Sequence, residues 1–189
     1  MPSERSARVT GPLLVIFSGL PGSGKTTIAR ELARRLGAVH LRIDTIEQAM
    51  VNSGITLSEV PESGYRVGYA LAEDNLRLGH IVVADSVNPL RITRDAWRSI
   101  ADAAGCPAID VEIVCSDREE HKARVETRTT DIEGLKLPDW QKVQNREYHD
   151  WHIERIVVDT AGRAPESCVD ELIGRIEGPT LQNSPKSAV

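Results

Sequence analysis

Gly19, Leu20, Pro21, Gly22, Ser23, Gly24, Lys25 and Thr26 fit the pattern G-x-x-x-x-G-K-[ST] at every position. A turn this poor in bulky side chains lets backbone amides converge on phosphate oxygens, and the amino end of a following helix adds partial positive charge. Lys25 supplies a cation toward the outer phosphates, and the Thr26 hydroxyl is suited to Mg²⁺. Thr27 either touches an inner phosphate or is a tolerated residue of a first helical turn. The pattern predicts a nucleoside triphosphate held by Gly19, Pro21, Gly22, Ser23, Gly24, Lys25, Thr26 and Thr27.

Other residues could complete such a site. "IVVAD" is an apolar run ending in Asp85, an acid placed to hold Mg²⁺ directly or through its water shell, with Thr26 as the second metal-side residue. Asp44 follows another apolar segment and is the candidate base for an acceptor hydroxyl; capping of the next helix is the competing role for it. In "REEHKARVETR", Arg124 and Arg128 stand four apart, so a helix would put both on one face toward the β- and γ-phosphates, with Arg118 and Lys122 beside them. A solvated basic face is the alternative. The turn-rich "TTDIEGLKLPDW" then reads as a lid, over about 129–140, that would exclude water. Arg66, with Tyr65 and Tyr69, is expected on a helix where acceptor contacts could arise.

The elements that must position these residues alternate. "LLVIFSG" reads as a strand and "GKTTIARELARRLG" as a helix stopped by Gly37. "VHLRID" is expected to be a strand ending on Asp44, and "TIEQAMVN" a short helix. "GYRVGYALAEDNLRLG" has helical spacing and "HIVVAD" is a third strand. Pro89 is expected to open a helix ending at Gly105, followed by the strand "AIDVEIVCS" and a helix capped by Asp117. "WQKVQNREYHDW" reads as a helix, "RIVVDT" as a fifth strand and "PESCVDELIGRIEG" as a closing helix. This order predicts an α/β, three-layer P-loop NTPase fold: a five-stranded, mainly parallel sheet with helices on both faces and a lid. One domain is expected over 13–177, with a flexible N-terminus (1–12) and a disordered tail (178–189). Ligands in such sheets sit beyond the carboxyl ends of the strands.

Bulk properties narrow the partners. The 189 residues are 40% hydrophobic and 27% charged, with a net charge of -5, which argues against a broad nucleic-acid-binding surface. No apolar run approaches the ~20 residues of a membrane span, and no secretion signal is evident, so a cytoplasmic location without membrane partners is expected. Cys106, Cys115 and Cys168 lack metal-ligand spacing and read as free thiols. His149 and His152 lack the spacing of a zinc helix, and Trp97, Trp140 and Trp151 read as packing anchors. No N-K-x-D guanine-reading element and no L-S-G-G-Q transporter signature occurs, which disfavours GTPase switches and transporters and leaves a compact phosphotransferase.

The loop, Asp44, "VVADSVN" and the Arg124/Arg128 pair ahead of a lid resemble the small P-loop kinases grouped with polynucleotide 5'-kinase, zeta toxin, chloramphenicol phosphotransferase and gluconate kinase. The resemblance covers about residues 13 to 175. It implies ATP and Mg²⁺ as cofactors, Asp44 activating the acceptor hydroxyl, Asp85 and Asn88 on the acceptor or metal side, Arg124 and Arg128 as lid arginines, and Thr160 to Arg163 packing on adenine. Many members carry an Arg shortly after the catalytic Asp; here "DTIEQAM" has Glu47. That tilts the expected acceptor from a phosphorylated nucleic-acid end to a neutral or cationic small-molecule alcohol. The primary expectation is a kinase, monomeric or homodimeric, acting on a small-molecule hydroxyl. A nucleic-acid 5'-hydroxyl kinase and an ATP-binding regulatory domain with weak hydrolysis are the alternatives.

Overall fold

A computed structural model describes residues 9–59 and 62–178. The expected disordered tail lies, from residue 179 on, outside the described residues, as do the first eight residues of the expected flexible N-terminus. Five strands, β1 (Leu13–Ser18), β2 (Val39–Arg42), β3 (Ile81–Asp85), β4 (Ala108–Val114) and β5 (Ile156–Asp159), form one sheet in the order β2-β3-β1-β4-β5. Every pairing is parallel, so the sheet is wholly rather than mainly so.

Among the described residues the helices are α1 (Lys25–Leu36), α2 (Ile43–Asn52), α3 (Ser63–Arg77), α4 (Arg91–Ala104), α5 (Arg118–Thr127), α6 (Trp140–Gln144) and α7 (Pro165–Glu177). Central β1 shows why helices cover both faces. Its side chains alternate, and all are buried, so neither face can meet water. Leu13, Val15 and Phe17 pack with Ile28 and Leu32 of α1 and with Val169, Leu172 and Ile176 of α7. Leu14 and Ile16 pack with Ile43, Leu76 of α3 and Trp97 of α4. Burying each such leucine or isoleucine contributes about 2 kcal/mol. On the second face α3 lies close: a Cβ on Gly68 would stand 2.5 Å from Ile43 Cδ1 and 3.3 Å from the Trp97 ring.

Three boundaries differ from expectation. β2 ends at Arg42, and Asp44 is the second residue of α2 rather than the last of a strand. Arg42 is the cap residue, so Asp44 does not cap the helix. Pro89 lies before α4, whose cap is Leu90. The expected long helix after Trp140 stops at Gln144, because the chain from 145 onward is drawn to buried Arg94: its guanidinium donates to the carbonyls of His149 at 2.9 Å and Asp150 at 3.4 Å, and it stacks on Tyr148 and Trp151.

Candidate active site

The loop from Gly19 to Gly24 joins β1 to α1, and its glycines are there for geometry. Gly19 has φ +145°, and a Cβ on it would lie 2.3 Å from the Ile113 carbonyl oxygen. Gly22 has φ +86°, with Val125 Cγ2 2.5 Å from an added Cβ. Gly24 caps α1 in the left-handed region and offers no side-chain acceptor to the first-turn amides, which leaves them directed at an incoming anion. The loop is braced from outside. Thr160 Oγ1 donates to the Ser23 carbonyl at 2.9 Å, and His121 Nε2 lies 2.9 Å from the Pro21 carbonyl. A carbonyl only accepts, so that nitrogen carries the proton.

Lys25 is buried in the first turn of α1, with Nζ 3.5 Å from Asp85 Oδ1. His40 Nε2 lies 3.3 Å from Asp85 Oδ2. Burial alone would push the Asp85 carboxyl up; the Lys25 charge and hydrogen bonds from His40 and the Thr26 hydroxyl outweigh it and hold the group at about 2. Oδ1 is buried and accepts no hydrogen bond. Thr26 and Asp85 thus bring together a hydroxyl and an ionised carboxylate, the hard oxygen donors that Mg²⁺ takes. No cluster of three or more His, Cys, Asp or Glu side chains among the described residues could hold a metal.

A single cleft of about 950 Å³ joins this loop to the other candidates. Lys25, Thr26, Thr27, Asp44, Arg124 and Arg128 all line it, as do 129–131 and 135–138 of the irregular stretch after α5. Asp44 stands in the first turn of α2, facing the cleft beside Glu47 and Tyr65. Arg124 donates to Thr160 Oγ1 at 2.7 Å and to its carbonyl at 3.0 Å, and pairs with Glu120 at 2.5 Å. Arg128 does not share its helix face. α5 ends at Thr127, and Arg128 is an extended cap residue (φ −65°, ψ 145°) leading into the next segment. Burial lowers the Arg128 pKa, opposed by the charge of Asp44, and its Nε has no acceptor.

Other expected residues fall elsewhere. Asn88 is fully buried behind the cleft, its Nδ2 donating to Ser18 Oγ at 3.0 Å. Arg66 is exposed on α3, and neither it nor Asn88 is among the lining residues. Arg118 and Lys122 are also outside the wall. His149 and His152 pair with Glu147 and Asp95 at the surface. Trp97 is core, Trp140 packs edge-on against His121, and Trp151 stacks on Arg94. Thr160, Arg163, Pro165 and Cys168 also line the cleft, with Thr160 directly against the phosphate loop.

Residues that local reading missed line the same walls: Arg30, Arg42, Ser86, Asp131 and Arg146. Asp131 holds two of them, accepting from Arg30 at 2.5 Å and Arg42 at 2.7 Å, and those hydrogen bonds keep its carboxyl far below the usual range. The signal for Arg42 was register: it stands opposite Asp85 across β2 and β3.

A family model described as an AAA domain, AAA_33, matches residues 14–146. The chain belongs to this family. A shikimate kinase of Frankia casuarinae is 29% identical over 190 residues, covering 91% of this chain and 78% of that protein. A protein of Aeropyrum pernix named "Probable adenylyl-sulfate kinase" is 30% identical over 113 residues, 57% of this chain. The chain spans only 61% of that protein and 51% of an adenylyl-sulfate kinase from Synechococcus. In three dimensions it superposes on the APS kinase of Mycobacterium tuberculosis, solved with AMPPNP and APS, with a TM-score of 0.65, 21% identity, and coverage of 90% of this chain and 100% of that one. This AAA_33 chain therefore has the P-loop kinase fold. No helix among the described residues is long and apolar enough to cross a membrane.

Proposed function

We propose that this chain is an ATP- and Mg²⁺-dependent kinase that moves the γ-phosphoryl group to a hydroxyl of a small molecule. The observation that carries the reading is that the phosphate loop and Asp44 line one continuous cleft, large enough for a nucleotide and a second small molecule together. The kinase names of its relatives support it.

The amides of Gly22 to Thr26 and the Lys25 ammonium cradle the β- and γ-phosphates. Thr26 and Asp85 would hold Mg²⁺, which supplies charge neutralisation to the polyphosphate. Arg124 and Arg128 stabilise the negative charge that spreads over the equatorial oxygens during transfer. Asp44 orients the acceptor hydroxyl and takes its proton as the acceptor oxygen bonds to the γ-phosphorus and the bond to the β-phosphate oxygen breaks, releasing ADP. Thr160 and Arg163 border the nucleotide end. The segment over 129–138 closes the cleft against water, favouring transfer over hydrolysis.

Labelled ATP incubated with a panel of alcohols tests this directly. Wild type forms a phosphorylated acceptor; Lys25→Ala and Asp44→Asn each lose 100-fold or more, about 3 kcal/mol of transition-state stabilisation. Undiminished transfer by either variant removes the role assigned to that residue. Binding of ATP without transfer to any alcohol would make the chain a nucleotide-binding regulatory domain instead.

A further inference from the structure

We infer that Glu47 makes the acceptor end of the cleft selective for an amine-bearing alcohol, such as an amino sugar or aminocyclitol, over a carboxylate or phosphate ester. This rests on the kinase reading above and adds the class of acceptor. The inference comes from the charges on the cleft wall. Asp85 is matched by Lys25, and Asp131 by Arg30 and Arg42. Arg124 and Arg163 are matched by Glu120 and Glu171. Asp44 and Glu47 remain: both line the cleft, and among the described residues no hydrogen bond or ion pair engages either carboxylate. The cations of the wall left outside these pairs are Arg128, which feels Asp44, Arg146, which feels Glu47, and Lys136; the last two are exposed, so solvent screens them. A bound triphosphate recruits Arg128 to its own charge. An anionic acceptor would then be a further negative group beside two carboxylates.

Glu47 is also seated, not waving in solvent. Its stem lies over Gly64 in the first turn of α3, where an added Cβ would come within 2.3 Å of Glu47 Cγ and 2.9 Å of Oε1. Burial, reinforced by the Asp44 charge, raises its pKa, and the Arg146 charge only partly opposes them. Ser86 gives an independent sign of a polar ligand. It is 3% exposed, lies on the cleft wall, and its hydroxyl, with the Tyr65 hydroxyl beside it, makes no close hydrogen bond among the described residues. Tyr65, whose hydroxyl accepts from the Asn88 amide at 3.3 Å, stands on the same wall.

Asp44 and Glu47 are three apart on one helix, so their stems are roughly 5–6 Å apart. An acceptor hydroxyl at Asp44 and an ammonium at Glu47 therefore belong to carbons adjacent or one removed, with Ser86 and Tyr65 placed for further hydroxyls.

The test uses the full chain, labelled ATP and matched acceptors: glucosamine, N-acetylglucosamine, gluconate and 2-deoxystreptamine. The amines are expected to exceed the N-acetyl and carboxylate probes at least ~10-fold in kcat/KM, the value of about one charge-assisted hydrogen bond. Glu47→Gln raises KM for the amines and collapses that preference, Glu47→Asp keeps most of it, and Gly64→Ala, which pushes the Glu47 stem aside, weakens it. Thermal unfolding confirms that each variant is folded. Equal use of N-acetylglucosamine or gluconate, or a preference that survives Glu47→Gln, overturns the inference while the kinase reading stands. Transfer to none of these four, while an alcohol without an amine is phosphorylated, overturns the inference alone; binding of ATP with transfer to no alcohol of the wider panel overturns both.

Discussion

Asp85 shows how one residue links the stability of this fold to its chemistry. Its carboxylate is buried at the carboxyl end of β3, against Lys25 and His40, and the folded protein holds its pKa at about 2 from an ordinary 3.8. A carboxyl depressed by folding stabilises above its unfolded pKa, and that contribution disappears as pH falls through the folded value. About 2 kcal/mol is therefore present at neutral pH and lost between about pH 4 and pH 2. Asp85→Asn should lower urea stability at pH 7 by about this amount, and the gap to wild type should close across that acid window. A gap that stays constant down to pH 2 would mean that Lys25 and His40 do not set the carboxyl's charge. The carboxylate itself was legible in the sequence, because an apolar run ending in an acid beside a phosphate loop has few other uses. His40 was not: its tie to Asp85 spans 45 positions and exists only once β2 and β3 are in register.

Among the elements, the segment that departs most from its sequence pattern is held by Arg94 of α4. Among the described residues this fully buried guanidinium meets no carboxylate within hydrogen-bonding reach; it donates to the carbonyls of Asn88, Pro89, His149 and Asp150 and stacks on Tyr148 and Trp151. Buried carbonyls left without donors are costly. Arg94→Leu should therefore destabilise the protein by 3 kcal/mol or more, with a shift in Trp151 fluorescence as its ring loses the cation. A loss below about 1 kcal/mol would show that this clamp is dispensable. Helical spacing from Trp140 to Trp151 was misleading because it is a local signal, and a single long-range cation outweighs local propensity over so short a stretch. Where apolar residues set the pattern, as with Ile28 and Leu32 of α1 ahead of the Gly37 cap, the elements were legible, because burial against the sheet and the period of the helix agree. Arg128 failed for the opposite reason. Charged residues carry little information about where a helix stops, and α5 stops one residue short of it.

For the whole molecule, the decisive contact is between the segment over the cleft and the body beneath it. Asp131 reaches across to Arg30 on α1 and Arg42 at the end of β2, joining three regions that the chain itself connects only distantly. These pairs are partly solvated, so each contributes about 0.5 kcal/mol. On the proposed kinase reading, together they would bias closure by about fivefold, enough to retain bound substrates and weak enough to release products. Asp131→Asn should shift the segment toward open: cleavage by trypsin at Lys136 should quicken severalfold, and the change should shrink in high salt, where wild type loses the same attraction. Water would then reach the γ-phosphate more often, so ATP hydrolysis without acceptor should rise while acceptor phosphorylation falls. If proteolysis and hydrolysis both stay at wild-type levels, closure is held by Leu135, Leu137 and Pro138 against the cleft rather than by charge.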